Sequence, residues 1–346
     1  MARTMTRGQL ITAGAGLTAA GIGGYGIIYR LASKDTSPKN EDKDNNIGMY
    51  YQLGTVMPVV DAAKINRLYG AFALPNKNGE LDYPTSLANL ATALGNRATS
   101  TELTLSVGGW GDYSDAWHTA TTNHQRFAES ADRIRRQFNE ETGSTLAGFD
   151  LDIENIPGGI PFSMVGTLAT ALKSRMGDIV VTAAVPANPS GMTGTIKDLT
   201  AIDEIGIMSY DKSGNWSDTA DDMAPGVGAI KDVDGWITAG VDPARIRLML
   251  PTYGRYFIGA SKKGDAFNND KRVDNAVLFT EIPKGMDDES TLSSWAQDGD
   301  RLISYQSPEM IRQTVARLHD RHPDLAGVGF WSNAGLTDAH LNAATY

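Results

Sequence analysis

Three carboxylates alternate along one short apolar stretch, and their spacing is the strongest chemical signal in the sequence. Asp150, Asp152 and Glu154 stand two residues apart within residues 146–155. If this stretch is a β-strand, the three side chains share a face and form an acidic row with about 6–7 Å between neighbours. Burying such a row is costly because ionised groups lose their hydration. The row therefore indicates acid–base chemistry, a metal site, or the solvated face of an antiparallel sheet.

The spacing disfavours a metal site. Residues of one strand about 6–7 Å apart cannot jointly ligate one ion at about 2.0–2.6 Å without further groups. The chain has no cysteine, which excludes disulfides, zinc–thiolate sites and cysteine nucleophiles. Its five histidines are scattered and show no HExxH or similar ligand spacing. The sequence therefore predicts neither a metal nor a cofactor.

The overall charge bears on the class of partner. The chain has 41 acidic and 31 basic residues, for a net charge of −10. This balance argues against a nucleic-acid partner, which would need a basic face, and it is compatible with a neutral or cationic substrate. With 41% apolar residues among 346, the chain can bury a large core. A monomer is the default expectation.

The N-terminal region differs from the rest in composition. Arg3 and Arg7 precede an uncharged stretch, residues 9–29, that is rich in Gly, Ala, Ile and Thr. This is the layout of an export signal, and residues 6–10 resemble a twin-arginine signal that lacks its second arginine. No clear cleavage site follows, and about 20 residues suffice to span a bilayer. We therefore expect residues 1–32 to be either a cleaved signal or a membrane anchor, so that the protein is exported.

The remaining chain predicts a linker and one large domain. Residues 33–46 are polar, charged and flexible in composition. From residue 47 onward, short apolar runs alternate with helix-like segments such as 123–142 and 307–319, as in βα units around a parallel sheet. Eight such runs predict a (β/α)8 TIM barrel over residues 47–346. The predicted strands are 47–53, 67–74, 102–107, 146–153, 179–185, 204–208, 246–250 and 325–331.

Chemically suggestive residues collect at the ends of several predicted strands. In a TIM barrel, the C-terminal strand ends and the loops after them form the functional face. Five different segments bring polar and aromatic residues to this face, which packing alone does not explain. These residues are Ser106, Trp110, Glu154, Tyr210, Asp211, Tyr253, Arg255 and Trp331.

Along nearly all of residues 47–346, these motifs resemble those of family 18 glycoside hydrolases, the chitinase-like enzymes. Residues 147–154, AGFDLDIE, are similar to the family signature DGxDxDxE, and residues 106–109 match its SxGG. Each motif is weak alone, but their shared order along the chain makes the resemblance strong. It implies a TIM barrel with a short insertion between strands seven and eight. The other matching segments are 208–216 (MxYDxxGxW), 251–255 (PxYGR), 303–309 (ISYxxPE) and 329–331 (GFW).

The resemblance also implies a mechanism and its residues. Glycosides of this family are cleaved with retention, and the substrate's own 2-acetamido oxygen acts as the nucleophile. Glu154 would be the general acid and later the base, with a pKa raised towards neutrality. Asp152 would orient the acetamido group, and Asp150 would share a proton with Asp152. Tyr210 would donate a hydrogen bond to the acetamido oxygen.

A second set of residues is expected to bind the sugar. Trp331 would form the floor, because a flat apolar ring fits the C–H face of a pyranose, and Asp211 would bind hydroxyl groups. Trp110 and Trp216 would line neighbouring subsites, although loop tryptophans often only pack. Ser106 and the glycines that follow it are expected to shape the strand end. The remaining expected contacts are Tyr50, Phe72, Tyr253 and Arg255.

Two departures from the family pattern stand out. The first aspartate of the signature is Ala147 here. That family position is expected deep in the barrel, so its loss predicts an altered pH dependence and retained activity. Residues 256–301 are shorter than the insertion of many processive members, which predicts a shallow groove.

Three functions stay open at this point. The first is an exported hydrolase of β-1,4-linked N-acetylglucosamine, in chitin or chito-oligosaccharides. The second is an endo-β-N-acetylglucosaminidase acting on N-glycans, or a cell-wall glycan hydrolase. The third is an inactive chitinase-like lectin, which the presence of Glu154, Asp152 and Tyr210 disfavours.

Overall fold

The computed structural model describes residues 46–95 and 100–345, and its centre is a closed barrel of eight parallel strands. All eight predicted strands are confirmed, and no strand end differs from its predicted position by more than two residues. Strands are numbered here in chain order. The barrel strands are β1 Ile47–Gln52, β2 Ile65–Ala73, β3 Glu102–Gly108, β4 Leu146–Asp152, β6 Val180–Pro186, β8 Glu204–Met208, β9 Ile246–Pro251 and β15 Gly327–Trp331, while β5 Ile160–Pro161 and β7 Met192–Thr193 pair separately.

The helices begin where their capping residues predict. Ser307 caps a helix whose first residue is Pro308, and its hydroxyl oxygen accepts the Met310 N–H at 3.3 Å. The segment predicted as 123–142 is helical from His124 onward, with Asn123 at the N-cap. The helices are α1 Ser114–Thr122, α2 His124–Thr142, α3 Phe162–Met176, α4 Gly226–Thr238, α5 Pro308–Arg321 and α6 Asp338–Ala343.

The outer face of β4 explains why its acidic row points inward. Phe149, Leu151 and Ile153 are buried in the main hydrophobic cluster together with Phe127 and Phe138 of α2. Full burial of each such side chain contributes about 1.5–3 kcal/mol relative to exposure. A shift of one residue would move these groups inward and the carboxylates outward. Packing between β4 and α2 therefore holds the acidic row inside the barrel.

The insertion between the last two barrel strands is a five-stranded antiparallel sheet. The insertion is longer than the predicted 256–301. Only Thr252 separates the end of β9 from Tyr253, which already pairs with Leu278 in the inserted sheet. The motif at 251–255 thus ends one barrel strand and begins the inserted sheet. The inserted strands are β10 Tyr253–Ile258, β11 Ala276–Leu278, β12 Met286–Asp288, β13 Ser293–Asp298 and β14 Arg301–Tyr305.

The expectation that position 147 lies deep in the barrel is wrong. Leu146 pairs with Leu103, and Gly148 pairs with Thr104, so Ala147 is the extra residue of a β-bulge. Its side chain is partly exposed near the start of β4, whereas Glu154 follows the other end of this strand. The predicted effect of this position on pH dependence therefore loses its structural basis.

The predicted export segment and linker fall almost entirely outside the described residues, which begin at residue 46. None of the helices within residues 46–95 and 100–345 combines the length and hydrophobicity needed to span a bilayer.

Candidate active site

The acidic row runs from the barrel interior to its mouth. Asp150 is 1% exposed, Asp152 is 3% exposed, and Glu154, two residues beyond the end of β4, is 8% exposed. The row is therefore buried in a parallel barrel, which removes the interpretation as the solvated face of an antiparallel sheet. Glu154 is placed closest to the solvent side, where a substrate would enter.

Three hydroxyl groups hold the Asp150 carboxylate. Tyr50 Oη donates to Oδ2 at 2.8 Å, Ser106 Oγ donates to Oδ2 at 2.7 Å, and Thr182 Oγ1 donates to Oδ1 at 2.7 Å. Ser106 and Thr182 are the direct neighbours of Asp150 on β3 and β6. The barrel register thus brings these donors to the carboxylate. Besides its expected role in shaping the strand end, the Ser106 hydroxyl contacts the acidic row.

This environment shifts the proton affinity of Asp150. Burial raises the pKa of the Asp150 carboxyl, and the hydrogen bonds from the three hydroxyls offset this rise only in part. Burial, with the nearby carboxylates, also raises the pKa of Tyr50 well above its usual value. Tyr50 therefore stays protonated as a donor at neutral pH. The sharing of a proton between Asp150 and Asp152 stays a prediction with which this environment agrees.

Aromatic rings form the wall beside the acidic row. Trp331 ends β15 and is buried, and its ring stacks on Phe72 with centroids 5.4 Å apart and planes at 24°. Tyr50 meets the Trp331 ring edge-on at 5.6 Å. The structure places Tyr50 and Phe72 beside Trp331, and their contact with a sugar stays a prediction. The stacked rings of Phe72 and Trp331, with Tyr50 edge-on to Trp331, form an apolar wall next to the carboxylates.

Two glycines let the loop after β3 approach this wall closely. A Cβ on Gly108 would lie 2.1 Å from the backbone oxygen of Asp152, and one on Gly109 would lie 2.6 Å from the Phe72 ring. The Gly109 N–H also donates to the Asp152 carbonyl oxygen at 2.8 Å. Larger residues would push the loop away from the end of β4. These glycines therefore shape the end of β3, as expected.

Residues after β8 form the facing side of the site. Tyr210 is buried and lies in one apolar cluster with Tyr50 and Trp331. Its ring meets that of Tyr253 edge-on, with centroids 6.4 Å apart. Asp211 follows in the left-handed backbone region, with φ 55°. The structure thus brings Tyr210 into the same pocket as the predicted floor, as the sequence motif indicates.

Arg255 ties this side of the site to the inserted sheet. Its Nε donates to Asp211 Oδ1 at 3.0 Å, and its Nη1 forms an ion pair with Asp274. Burial alone would lower the pKa of Arg255, but the carboxylates of Asp211 and Asp274 outweigh this effect and raise it. The guanidinium lies 5.2 Å from the Trp216 ring centroid and 5.3 Å from that of Tyr253. The two carboxylates thus fix the buried guanidinium of Arg255, and its contact with a sugar stays a prediction.

Two tryptophans remain open at the rim. Trp110 follows β3 and is 51% exposed, whereas Trp216 follows β8 and is 56% exposed. Trp216 lies against Gly214, where a Cβ would be 2.5 Å from its ring. Half-exposed indole faces can stack on a ligand, so both positions agree with the predicted subsites, which stay predictions.

The sequence did not reveal two residues that shape this site. Thr182 is identified only once β6 is placed beside β4, since a threonine in a strand is otherwise unremarked. Asn333 is buried, and its side-chain oxygen accepts the Gln52 N–H at 2.9 Å, which joins the end of β1 to the loop after β15. In the sequence, only its position two residues after Trp331 indicates that Asn333 lies near the site.

The arrangement suits acid–base chemistry on a neutral ligand with a flat apolar face. Buried carboxylates adjoin a tyrosine hydroxyl and an aromatic wall. Within the two described ranges, no group of three or more His, Asp or Glu side chains has the geometry to hold a metal ion. The buried carboxylates and the tyrosine hydroxyl can transfer protons and stabilise charge.

Comparison with known proteins agrees with this geometry. The family model "Glycosyl hydrolases family 18" matches residues 39–334. Endochitinase 1 of Metarhizium robertsii is 26% identical over 262 residues, and Endochitinase 1 of Metarhizium anisopliae is 25% identical over 262 residues. Each match covers 66% of this chain and 60% of the relative. The chain therefore spans less than two thirds of the length of these curated relatives.

Solved structures share the barrel. The class V chitinase from Nicotiana tobaccum superposes with a TM-score of 0.75 at 20% identity, covering 86% of this chain and 98% of that one. The GH18 chitinase from Cycas revoluta in complex with (GlcNAc)3 gives a TM-score of 0.74 at 20% identity, with the same coverage. At these identities the likeness shows a common fold.

Proposed function

Because the chain belongs to glycosyl hydrolases family 18, we propose that it is a glycosidase that cleaves β-1,4-linked N-acetylglucosamine in chitin or its oligomers. The observation that carries this proposal is the buried row of Asp150, Asp152 and Glu154 beside the aromatic wall. The curated relatives are named as endochitinases, and one structural neighbour holds a trimer of N-acetylglucosamine. These names support the substrate class.

Glu154 begins the reaction in this proposal. Its carboxylic acid protonates the glycosidic oxygen, and the leaving sugar departs as an alcohol. The acetamido oxygen of the substrate attacks C1 from the opposite face and forms a cyclic oxazolinium ion. Glu154, now a carboxylate, then removes a proton from water, and this water opens the ring. Two displacements at C1 retain the β configuration.

Asp152 and Tyr210 hold the attacking group. The Asp152 carboxylate accepts the acetamido N–H and stabilises the positive charge that develops on the oxazolinium ion. Tyr210 donates its hydroxyl to the acetamido oxygen and keeps it in line with C1. Both residues are buried, which strengthens these interactions by excluding water.

Asp150 supplies a place for a proton behind Asp152. Two nearby carboxylates resist joint ionisation, so the pair titrates as a unit. The hydroxyls on Asp150 can each rotate to donate or accept, so both protonation states are accommodated. Asp152 can then be ionised when the oxazolinium charge forms.

The test compares the full chain with its Glu154→Gln variant on two substrates. These are chitotetraose and a high-mannose N-glycopeptide. We expect the wild-type protein to cleave chitotetraose with the β anomer as the first product by NMR, and the variant to lose this activity by at least about a hundredfold. Cleavage of the glycopeptide alone would assign the endo-β-N-acetylglucosaminidase function. Binding of either glycan without cleavage would contradict a hydrolase of these substrates and favour a lectin.

We also propose that the protein is exported. Arg3 and Arg7 before the uncharged residues 9–29 support this proposal. Protease treatment of intact spheroplasts of the cells that produce the chain is the test. Digestion of the cell-bound protein, or its appearance in the medium, is expected, whereas full protection until lysis would contradict export.

A further inference from the structure

The end of β1 carries a buried polar side chain that the mechanism above leaves unused. Gln52 is 2% exposed, and among residues 46–95 and 100–345 neither its side-chain oxygen nor its side-chain nitrogen finds a hydrogen-bond partner. Buried amides are normally bonded, because an unpaired polar atom gives up its contacts with water without replacement. The unpaired amide of Gln52 therefore indicates a role other than stabilising the fold.

The strand geometry directs Gln52 towards the barrel mouth. Residues two apart on a strand share a face, so Gln52 lies on the face of β1 that also bears Tyr50 and Gly48. Tyr50 reaches Asp150 inside the barrel, and a Cβ on Gly48 would lie 3.0 Å from the buried side chain of Arg247. This is the inner face. Because Gln52 is the last residue of β1, it occupies the mouth end of that face.

Gln52 adjoins the aromatic wall of the candidate active site. It pairs with Ala71 on β2, and the next residue, Phe72, stacks on Trp331. On its own strand it follows Tyr50, whose ring meets Trp331 edge-on. The unpaired amide is therefore placed beside the surface on which a sugar ring is proposed to lie.

The backbone of Gln52 is held in place on both sides. Its N–H donates to the side-chain oxygen of Asn333 at 2.9 Å. Its carbonyl oxygen accepts both the hydroxyl and the N–H of Thr55, at 2.7 and 3.0 Å. The backbone is thus fully bonded while the side-chain amide is not. A fixed backbone presents the amide at a defined position, which is the arrangement of a preorganised binding group.

We propose that the Gln52 amide binds a hydroxyl group of the sugar that lies on Trp331, and that Gln52 is a specificity-determining residue of this site. The inference rests on the proposed function of the same site. A sugar hydroxyl donates and accepts, as the amide does, so one group can pair with the other. Sites that hydrogen-bond a substrate hydroxyl discriminate strongly against analogues that lack it.

The test is the Gln52→Met variant of the full chain, which keeps the approximate size of the side chain and removes both polar atoms. We expect its thermal midpoint to rise by about 2 °C, because an unpaired buried amide has been removed. We expect kcat/KM for chitotetraose to fall about tenfold, mainly through KM. A residue with only a packing role would not lose substrate affinity while gaining stability.

Thr104→Val is the matched control. Thr104 is fully buried on β3, and its hydroxyl also lacks a hydrogen-bond partner within the described part of the chain. This variant should gain stability with unchanged kinetics. If Gln52→Met also keeps the wild-type kcat/KM, the proposal is overturned while the proposed function stands. If the wild-type chain cleaves no chito-oligosaccharide, the proposed function itself fails.

Deoxygenated substrates identify the hydroxyl group. Chitotetraose analogues that each lack one hydroxyl should be poorer substrates for the wild-type protein. For one of them, Gln52→Met should add no further loss, because the bond is already missing. Fully additive losses for every analogue would overturn the proposal. Gln52→Leu serves the same comparison if the methionine variant does not fold.

Discussion

The two ends of the barrel interior each bury a carboxylate, but in opposite surroundings. Asp150, towards the mouth, accepts hydrogen bonds from three neutral hydroxyls. Glu204, at the start of β8, instead accepts from Arg247 Nε at 2.7 Å and Arg67 Nη1 at 3.0 Å. Burial raises the pKa of Asp150, whereas the two arginines outweigh the burial of Glu204 and lower its pKa. One carboxyl group can hold a proton, and the other is kept ionised.

This difference separates a chemical group from a structural one. Hydroxyl donors can turn to serve either protonation state, but a guanidinium only donates and stabilises the ionised form. The two ends are connected through a pair of tyrosines. Tyr69 donates to Glu204 Oε1 at 3.3 Å, and its ring stacks on Tyr50 with centroids 4.5 Å apart. The ionised end therefore also supports Tyr50, which donates a hydrogen bond to Asp150.

Removal of the structural carboxylate should have the largest effect. Glu204→Gln leaves the guanidinium of Arg247, which is buried, without its counter-charge. We expect the free energy of unfolding at pH 7 to fall by about 3–5 kcal/mol, as when one partner of a buried ion pair is lost. Chemical denaturation of the variant and wild type gives this difference.

Glu102→Gln is the matched control for that variant. Glu102 also accepts from Arg67, at 2.6 Å, but its side chain is 43% exposed. An exposed ion pair contributes about 0–1 kcal/mol, so this variant should remain close to wild type. If both variants lose the same free energy of unfolding, burial does not strengthen the Glu204 ion pairs, and the contrast between the two ends of the barrel is wrong.

The opposite pattern is expected for Asp150→Asn. The amide can still bond the surrounding hydroxyls, but it cannot share a proton with Asp152. We expect kcat for chitotetraose to fall about 10²–10³-fold, within the range of lost proton-transfer groups. The free energy of unfolding should stay within about 1 kcal/mol of wild type. A variant that is unstable yet fully active once folded would reverse the roles of the two ends.

The sequence predicts the mouth far better than the other end. Side chains two residues apart on a strand share a face, so the sequence alone predicts that Asp150, Asp152 and Glu154 lie on the same face of β4. Glu204 acquires its partners from β2 and β9, which lie 137 and 43 residues away along the chain. Such contacts depend on barrel closure and register, and no local pattern encodes them.

The same limit explains the error at position 147 and the unpredicted contact of Ser106. The bulge at Ala147 is defined by the pairing of β4 with β3. Consecutive residues of β3 pair with Leu146 and Gly148, which leaves Ala147 as an extra residue. Ser106 was not expected to contact the acidic row, since its proximity to Asp150 is a consequence of register. Motifs located the reactive groups, whereas strand pairing decided which neutral groups support them.

A third buried group, His340, shows how burial alone shifts a pKa when no charged partner is present among the described residues. His340 on α6 packs between Phe279 and Phe330, and burial lowers its pKa to about 4. An unfolded chain binds this proton near pH 6.5, so stability should fall as the pH drops from 6.5 to 4. The full effect is on the order of 3 kcal/mol. Chemical denaturation at pH 7 and pH 4.5 measures it.

His340→Gln should remove most of this pH dependence, because glutamine does not titrate. His118→Gln, at an exposed position on α1, is the control and should keep the wild-type dependence. If His340→Gln and the wild type lose equal stability between pH 7 and pH 4.5, burial of His340 is not the cause. In that case carboxyl groups with a lowered pKa, such as that of Glu204, would account for the acid sensitivity.

The smallest effect is expected from the loss of a single hydroxyl beside Asp150. Thr182→Val keeps the shape of the side chain and removes the donor to Asp150 Oδ1. A donor to the ionised form lowers the pKa of a carboxyl, so its loss should raise the pKa of Asp150 further. The acidic limb of the pH profile of kcat/KM should move to higher pH by less than about one unit, with a rate loss of about three- to tenfold at its optimum.

Thr104→Val makes the same change where no carboxylate is bonded, and the acidic limb of its pH profile should not move. Identical limbs in the two variants would mean that Thr182 only packs, and that the hydroxyl cage of Asp150 does not set its proton affinity.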